Sequence, residues 1–166
     1  MTFAAIQAGL SFFMDANPLL YYFTAHPRFG TASQSLLDRI ERQDVTGFTS
    51  AHILNEVVHR LMTIEACQRF GWPIRGIARR LRHHPAEVKQ LDQARQAMDE
   101  ITLIGLQVLA VEKSHVSRAC DISRQTGLLS SDAVLVAVMQ ANGLTHLASA
   151  DPDFDRVPGI TRYSPV

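Results

Sequence analysis

The sequence predicts an α/β fold built on a parallel sheet of about five strands. Short apolar runs bounded by turn residues alternate along the chain with longer segments in which apolar residues recur every three or four positions. This alternation is typical of proteins in which each helix returns the chain to the start of the next parallel strand. The 166 residues, 46% apolar and 19% charged, suit one folded domain spanning residues 1–166.

The first strand is predicted at residues 10–14, an uninterrupted apolar run of the kind found in parallel sheets covered on both faces. The turn dipeptide Asn17-Pro18 then leads into a first helix. A second helix is predicted over residues 33–42, and a second strand over residues 45–48. Ser50 is a favourable N-cap for the third helix, whose apolar residues recur at helical spacing.

Pro73 and Gly76 interrupt the chain before the second half begins. A basic stretch follows over residues 75–82, and Pro85 is expected to open one helix that runs through residue 98. The remaining elements are a strand at 106–111, a helix at 114–125, a helix at 132–142 capped by Ser131, a strand at 146–148 and a possible fifth strand at 160–163.

Composition limits the possible functions and the cellular location. Lys plus Arg and Asp plus Glu number 16 each, so any nucleic-acid site must be a local one. Cys67 and Cys120 lack a metal-ligand spacing and are expected to be reduced core residues. The first residues have no basic start and no apolar stretch long enough to cross a bilayer, so we expect a cytoplasmic protein without a membrane partner.

Four acids lie beside segments expected to be buried: Asp15, Glu56, Asp132 and Asp151. Asp15 and Asp151 each follow a predicted strand, and ligands of parallel sheets lie beyond the carboxyl ends of the strands. Clustered carboxylates repel one another, and a divalent cation is the simplest compensation for that repulsion. The pattern therefore indicates metal-assisted chemistry on a phosphate.

The segments that carry these acids resemble the PIN domain family, and especially its VapC-type toxin ribonucleases. The matching segments, in chain order, are MDAN at 14–17, LNEV at 54–57, SDAVLVA at 131–137 and SADPDF at 149–154. Their order and approximate spacing agree over nearly the whole chain. Residues 67–103 match no motif of the family, so the choice of substrate does not follow from the resemblance.

The resemblance implies a PIN-like parallel sheet with helices on both faces, and a metal-dependent endoribonuclease that hydrolyses RNA phosphodiester bonds with a Mg²⁺-activated water. It also implies a toxin that forms a homodimer and pairs with a small antitoxin protein. The implied ligands of Mg²⁺ or Mn²⁺ are Asp15, Glu56, Asp132 and Asp151, with Asp153 as an outer or water-mediated ligand. By the same resemblance, Asn17 and Ser149 orient carboxylates or metal-bound water; Ser149 replaces the common threonine but keeps its hydroxyl.

Further polar residues have both a functional and a purely structural interpretation. Arg79, Arg80 and Arg82 could contact RNA phosphates, or form a solvated helix face. His52 and His59 share a helix face with Glu56 and are expected at the rim of the site rather than as ligands. The acids too could be helix caps, turn residues or solvated residues rather than metal ligands.

Two other functions remain open at this point. A PIN-like module could bind RNA or a protein without cutting it. A di-iron carboxylate oxidoreductase is the second alternative, because Glu56 with His59 and Glu112 with His115 both form the Glu-x-x-His pattern of di-iron helix bundles. Against that alternative, Glu112 directly follows a predicted strand, and glycines and prolines interrupt any pattern of four long helices.

Overall fold

The computed structural model describes residues 1–166 and contains a five-stranded sheet with the order β3-β2-β1-β4-β5. The strands are β1 Ser11–Met14, β2 Thr46–Ser50, β3 Gln107–Leu109, β4 His146–Ala148 and β5 Thr161–Tyr163. Every neighbouring pair runs parallel. The predicted fold class is confirmed, although β3 is shorter than the predicted strand at 106–111.

The helices are α1 Ala16–Phe23, α2 Gly30–Glu41, α3 Ala51–Phe70, α4 Ile77–Arg82, α5 Pro85–Val88, α6 Gln93–Ile104, α7 Lys113–Thr126 and α8 Ser130–Ala141. Short 3₁₀ turns cover Phe3–Ala5 and Pro152–Arg156. From β1 to β3 the chain steps toward one edge of the sheet, and from β3 to β4 it crosses back. Because such crossovers are right-handed, the reversal places α7 and α8 on the face opposite to α1–α6. None of the helices combines the length and apolar character needed to cross a bilayer.

Burial of β1 anchors the core. Phe12, Phe13 and Met14 are all completely buried, and they belong to a hydrophobic cluster of 35 residues. Such burial on both faces explains the uninterrupted apolar run in the sequence. On β2, a side chain in place of Gly47 would collide with Ile40 and Leu106, so glycine lets α2 lie close to the sheet.

The predicted helix from Pro85 through residue 98 is wrong, because the structure has two helices there. α5 ends at Val88, and α6 begins at Gln93. The buried carboxylate of Glu65 on α3 accepts hydrogen bonds from the backbone nitrogens of Asp92 (3.1 Å) and Gln93 (3.0 Å). A carboxylate at a helix N-terminus satisfies free N–H groups, so this contact sets the start of α6 from outside the segment.

The prediction that both cysteines lie in the core is wrong for Cys120, which is exposed on α7. Cys67 is half-buried and packs beside a small cluster that includes Ile77 and Leu81. Both thiols are free. Ala119 and Ile122 form the buried face of α7, and Cys120 lies outside that face.

Candidate active site

Asp15 lies where β1 ends and α1 begins, and contacts with β4 and α1 hold it in place. Its backbone nitrogen donates to the carbonyl oxygen of Ala148 on β4 at 3.0 Å. Its side chain caps α1, because Oδ1 accepts a hydrogen bond from the backbone nitrogen of Ala16 at 2.7 Å. Only 7% of the residue is exposed. The helix-cap interpretation and the site interpretation therefore apply to the same carboxylate.

The second oxygen of Asp15 is held by the two residues predicted to orient it. Ser149 Oγ donates to Oδ2 at 2.7 Å, and Asn17 Nδ2 donates to the same oxygen at 3.2 Å. Ser149 is completely buried at the end of β4. These bonds leave the Asp15 carboxylate with one defined orientation.

The electrostatic surroundings of Asp15 connect it to two other acids. Burial raises its pKa from 3.8 to about 6, while the hydrogen bonds from Ser149 and Ala16 oppose the rise. The negative charges of Glu56 and Asp132 raise the pKa further. Carboxylates that repel in this way occupy a common region of the molecule.

Asp132 is half-buried in the first turn of α8, where its charge also interacts favourably with the helix N-terminus. Burial raises the pKa of Asp132, followed by the charges of Asp151, Glu56 and Asp153. The neighbouring His52 lowers the same pKa. Asp132 is thus the acid whose charge interacts with the most predicted site residues.

The predicted capping role of Ser131 is wrong. α8 begins one residue earlier, at Ser130, and Leu129 occupies the N-cap position. The hydroxyl of Ser131 instead lies 2.8 Å from His52 Nε2 on α3. This contact ties the helix that carries Glu56 to the helix that carries Asp132, and it places His52 at the edge of the acidic region.

Glu56 reaches this region from the second turn of α3. Ile53 and Val57 on the same helix are buried, so the helix rests on the core and leaves Glu56 half-buried at the boundary. Its Oε1 lies 3.8 Å from a guanidinium nitrogen of Arg60, one turn further along. His59 is exposed.

The turn after β4 carries Asp151 and Asp153. The backbone nitrogen of Asp151 donates to Ser149 Oγ at 3.0 Å, and the backbone nitrogen of Asp153 donates to Asp151 Oδ1 at 2.8 Å. The Asp153 carboxylate forms an ion pair with Arg156. Asp153 is also more exposed than the other acids. Its exposure and its ion pair agree with the prediction that Asp153 is an outer rather than a direct metal ligand.

Arg162 on β5 is a residue of the site that sequence reasoning missed. Its Nε and one terminal nitrogen bind the two oxygens of Asp155 at 2.7 and 2.8 Å, and the other terminal nitrogen donates to the carbonyl oxygen of Ser149 at 3.1 Å. The hydrogen bonds from Arg162 lower the pKa of Asp155. Arg162 thereby contacts the segment that carries Asp151 on both sides, at Ser149 and at Asp155. No pattern within one segment of the sequence reveals such a contact.

The donor set fits a hard divalent cation. Carboxylate oxygens favour Mg²⁺ or Mn²⁺, and a cation would compensate the repulsion that raises the pKa values of Asp15 and Asp132. No three acidic, histidine or cysteine side chains converge closely enough to form a ready-made coordination sphere.

Arg79, Arg80 and Arg82 of the basic stretch lie on α4, and all three are exposed. The guanidinium of Arg80 lies 5.4 Å from the ring centroid of Trp72, beyond the far end of α3. Arg82 lines a cleft of about 300 Å³ together with His59, which is one helical turn from Glu56.

The di-iron alternative is excluded by the fold. Glu112 is the N-cap of α7, and its backbone nitrogen donates to His115 Nδ1 at 3.0 Å. Glu56 lies on a different helix that packs against a parallel sheet rather than within a four-helix bundle.

Comparison with known proteins gives the family directly. The sequence profile of the PIN domain matches residues 12–160. The chain belongs to the PIN domain family. A VapC ribonuclease of Mycobacterium bovis and ribonuclease VapC13 of Mycobacterium tuberculosis are each 27% identical to this PIN domain over 152 residues, which cover 91% of this chain and 98% of the relative.

Solved structures share the PIN fold at lower sequence identity. The structure of VapBC2 from Rickettsia felis, bound to a DNA fragment from its promoter, superposes with a TM-score of 0.60 at 15% identity, covering 93% of this chain and 98% of that chain. VapC20 of Mycobacterium tuberculosis, described as a toxin that cleaves the sarcin–ricin loop, gives 0.59 at 18% identity over 87% and 92% of the two chains. At these identities the likeness supports the architecture of this PIN domain.

Proposed function

We propose that this PIN domain is a metal-dependent endoribonuclease and the toxin of a toxin–antitoxin pair. The observation that carries the proposal is the buried Asp15 carboxylate, which is oriented by Ser149 and Asn17 and repelled by the charges of Glu56 and Asp132. A helix cap alone does not require three acids from separate segments in one region. Relatives named as VapC ribonucleases, matched over nearly their whole length, add support.

In this proposal the cation is Mg²⁺ or Mn²⁺, held by Asp15, Glu56, Asp132 and Asp151, with Asp153 acting through water. A bound divalent cation lowers the pKa of a water molecule and offsets negative charge on a phosphate. Ser149 and Asn17 keep the Asp15 carboxylate aimed at the shared region, and Arg162 holds the turn that carries Asp151.

Hydrolysis would proceed without a covalent enzyme intermediate. The water oxygen forms a bond to phosphorus, the bond from phosphorus to the 3′ oxygen breaks, and a proton goes to that leaving oxygen. The products are a 5′-phosphate and a 3′-hydroxyl, because the 2′-hydroxyl of the substrate is not the nucleophile.

The proposed partners are an RNA substrate, a small antitoxin protein and a second copy of the chain. Structures with the same fold include VapBC from Salmonella typhimurium bound to DNA and a toxin–antitoxin complex from Klebsiella pneumoniae. Reading the adjacent gene, and co-expressing its product with this chain, tests the antitoxin; light scattering tests the dimer.

The activity is tested with purified protein and total RNA, in Mg²⁺ or Mn²⁺ and in excess EDTA, with mapping of the new RNA ends. We expect cuts with 5′-phosphates that vanish in EDTA and in the Asp132→Asn variant. Cleavage that persists in EDTA, or 2′,3′-cyclic phosphate ends, would contradict the mechanism. RNA that is bound but never cut in either metal would favour the non-cleaving binding module.

A further inference from the structure

Four side chains at the end of α1 and in the loop before α2 form an aromatic and basic cluster: Tyr21, His26, Arg28 and Phe29. The rings of His26 and Phe29 stack, with centroids 5.0 Å apart and planes 7° from parallel. The Tyr21 ring lies 4.8 Å from that of His26 and 5.0 Å from that of Phe29. The guanidinium carbon of Arg28 lies 5.0 Å from the Phe29 ring centroid. We call this set the aromatic cluster.

The aromatic cluster is not part of the protein core. Its three rings are half-buried, and Arg28 is exposed. The neighbouring Tyr22 and Phe23 pack against the core, whereas Tyr21 and Phe29 are outside it. Arg28 forms no ion pair with an acid. The cluster thus presents aromatic surface and an uncompensated positive charge to solvent.

Hydrogen bonds to His26 and a constrained backbone define the conformation of the loop beneath the rings. His26 Nδ1 accepts hydrogen bonds from the backbone nitrogens of Arg28 (3.3 Å) and Phe29 (3.2 Å). Ala25 adopts a left-handed conformation with φ of 46°, and a Cβ on Gly30 would lie 3.3 Å from the Tyr21 carbonyl oxygen. A surface fixed before binding loses little conformational freedom when a ligand stacks on it.

The aromatic cluster begins one helical turn from the acids. Tyr21 follows Asn17 by four residues on α1, so the two side chains lie on the same face of that helix. The amide of Asn17 contacts Asp15 Oδ2. Burial raises the pKa of Tyr21, and the charge of Asp15 raises it further, as expected for neighbours.

We propose that the aromatic cluster is a substrate subsite that stacks an unpaired nucleobase of the RNA strand, while Arg28 contacts a flanking phosphate. The subsite rests on the proposed ribonuclease function and deepens it, because it selects single-stranded RNA. Stacked aromatic rings bind bases largely without regard to sequence, and only unpaired bases can splay out onto them. A phosphate aligned with the acids has its neighbouring base within reach of a surface one helical turn away.

The test compares two oligoribonucleotides of equal length and charge, one bearing uracil throughout and one abasic throughout. Binding is measured in Mg²⁺ with Asp132→Asn protein, which keeps the RNA uncut. The parent should bind the uracil strand about tenfold more tightly, the size of one base–aromatic stack. When Tyr21→Leu or Phe29→Leu is added to the Asp132→Asn protein, most of the preference for the uracil strand should disappear. Binding of the abasic strand should remain unchanged.

Two matched variants serve as controls. Phe29→Tyr keeps a ring and should keep the preference, and Phe23→Leu removes an aromatic ring of the same helix that faces the core. Arg28→Gln, at an exposed position, should weaken binding of both strands and lower the salt slope by about 0.7. The preference of the Asp132→Asn protein for the uracil strand is measured with the aromatic cluster unchanged. The test therefore gives a result even if a variant of the cluster fails to fold.

Equal binding of the uracil and abasic strands by the parent would overturn the subsite. Equal loss on both strands in Phe29→Leu, or no loss on either, would overturn it as well and indicate a loop brace or a protein contact. These results differ from failure of the proposed function, which appears as wild-type protein that does not cut RNA.

Discussion

Ser149 Oγ donates a hydrogen bond to Asp15 Oδ2 at 2.7 Å and thereby joins the ends of adjacent strands β1 and β4. The same hydroxyl oxygen accepts a hydrogen bond from the backbone nitrogen of Asp151 at 3.0 Å. One buried hydroxyl therefore sets the positions of two acids and counteracts the burial that raises the pKa of Asp15.

Ser149→Ala should raise the pKa of Asp15 above about 6, because it removes the strongest contact that lowers it. The acid limb of the pH–rate profile should then move to higher pH, and cleavage below neutral pH should fall most. Ser149→Thr keeps the hydroxyl and should behave like the parent. A profile in Ser149→Ala that falls by the same factor at every pH would show that the hydroxyl does not act through Asp15.

Asp132→Asn should abolish cleavage without unfolding the protein. Asparagine keeps the volume of aspartate but supplies no charge to hold a cation. It also relieves repulsion from Asp151 and Glu56, so the metal-free melting temperature should stay the same or rise. If Asp132 interacted only with the helix N-terminus, the variant would remain active and lose about 0.3–1 kcal/mol of stability.

The stability of the metal-free protein should depend on the protonation of Asp15. The folded pKa is about 6 and the ordinary value is 3.8, so between these values the folded state binds more protons than the unfolded state. The stabilising contribution is complete below the ordinary value and is lost as pH rises through the folded pKa, by at most about 3 kcal/mol.

Urea unfolding in EDTA at about pH 4 and about pH 7 checks this linkage. Asp15→Asn keeps a capping side chain but removes the titrating group. Relative to wild type, the variant should therefore gain stability as pH rises. A difference between the two proteins that does not change with pH would contradict the raised pKa of Asp15.

The basic face of α4 gives a prediction that depends on salt. Changing Arg79, Arg80 and Arg82 to alanine should weaken RNA binding and reduce its salt slope by about two, since each phosphate contact to a single strand contributes about 0.7. The matched control changes three exposed arginines on other helices: Arg95, Arg118 and Arg124. Identical slopes in both triple variants would assign the α4 face to solvent or to a protein contact.

The sheet was predictable because its signals are local. Three successive residues of β1 are completely buried, which appears in the sequence as an apolar run. Asp15 follows β1 directly and Asp151 lies in the turn after β4, so parallel topology brings both to the same edge of the sheet. The motif order that resembles the PIN domain family is confirmed by the match over residues 12–160.

The predictions that failed, and the residue that was not predicted, have a different cause. Each depends on a contact between segments that are distant in the sequence. Glu65 starts α6 through backbone nitrogens 27 and 28 residues away. Ser131 binds His52 at a separation of 79 residues instead of capping its own helix. Arg162 braces Ser149 from a neighbouring strand. No propensity or spacing within a segment carries information about such partners.

The double role of Asp15 has an evolutionary consequence. Its Oδ1 caps α1 and its Oδ2 accepts hydrogen bonds from Ser149 and Asn17. In the proposed enzyme, selection for folding and selection for catalysis would therefore act on one codon. In a lineage that lost catalysis, positions 56 and 132 would be free to drift first. Position 15 would remain confined to Asp, Asn or Ser, which preserve the cap. An intact Asp15 is therefore weaker evidence of activity in a homologue than an intact Asp132.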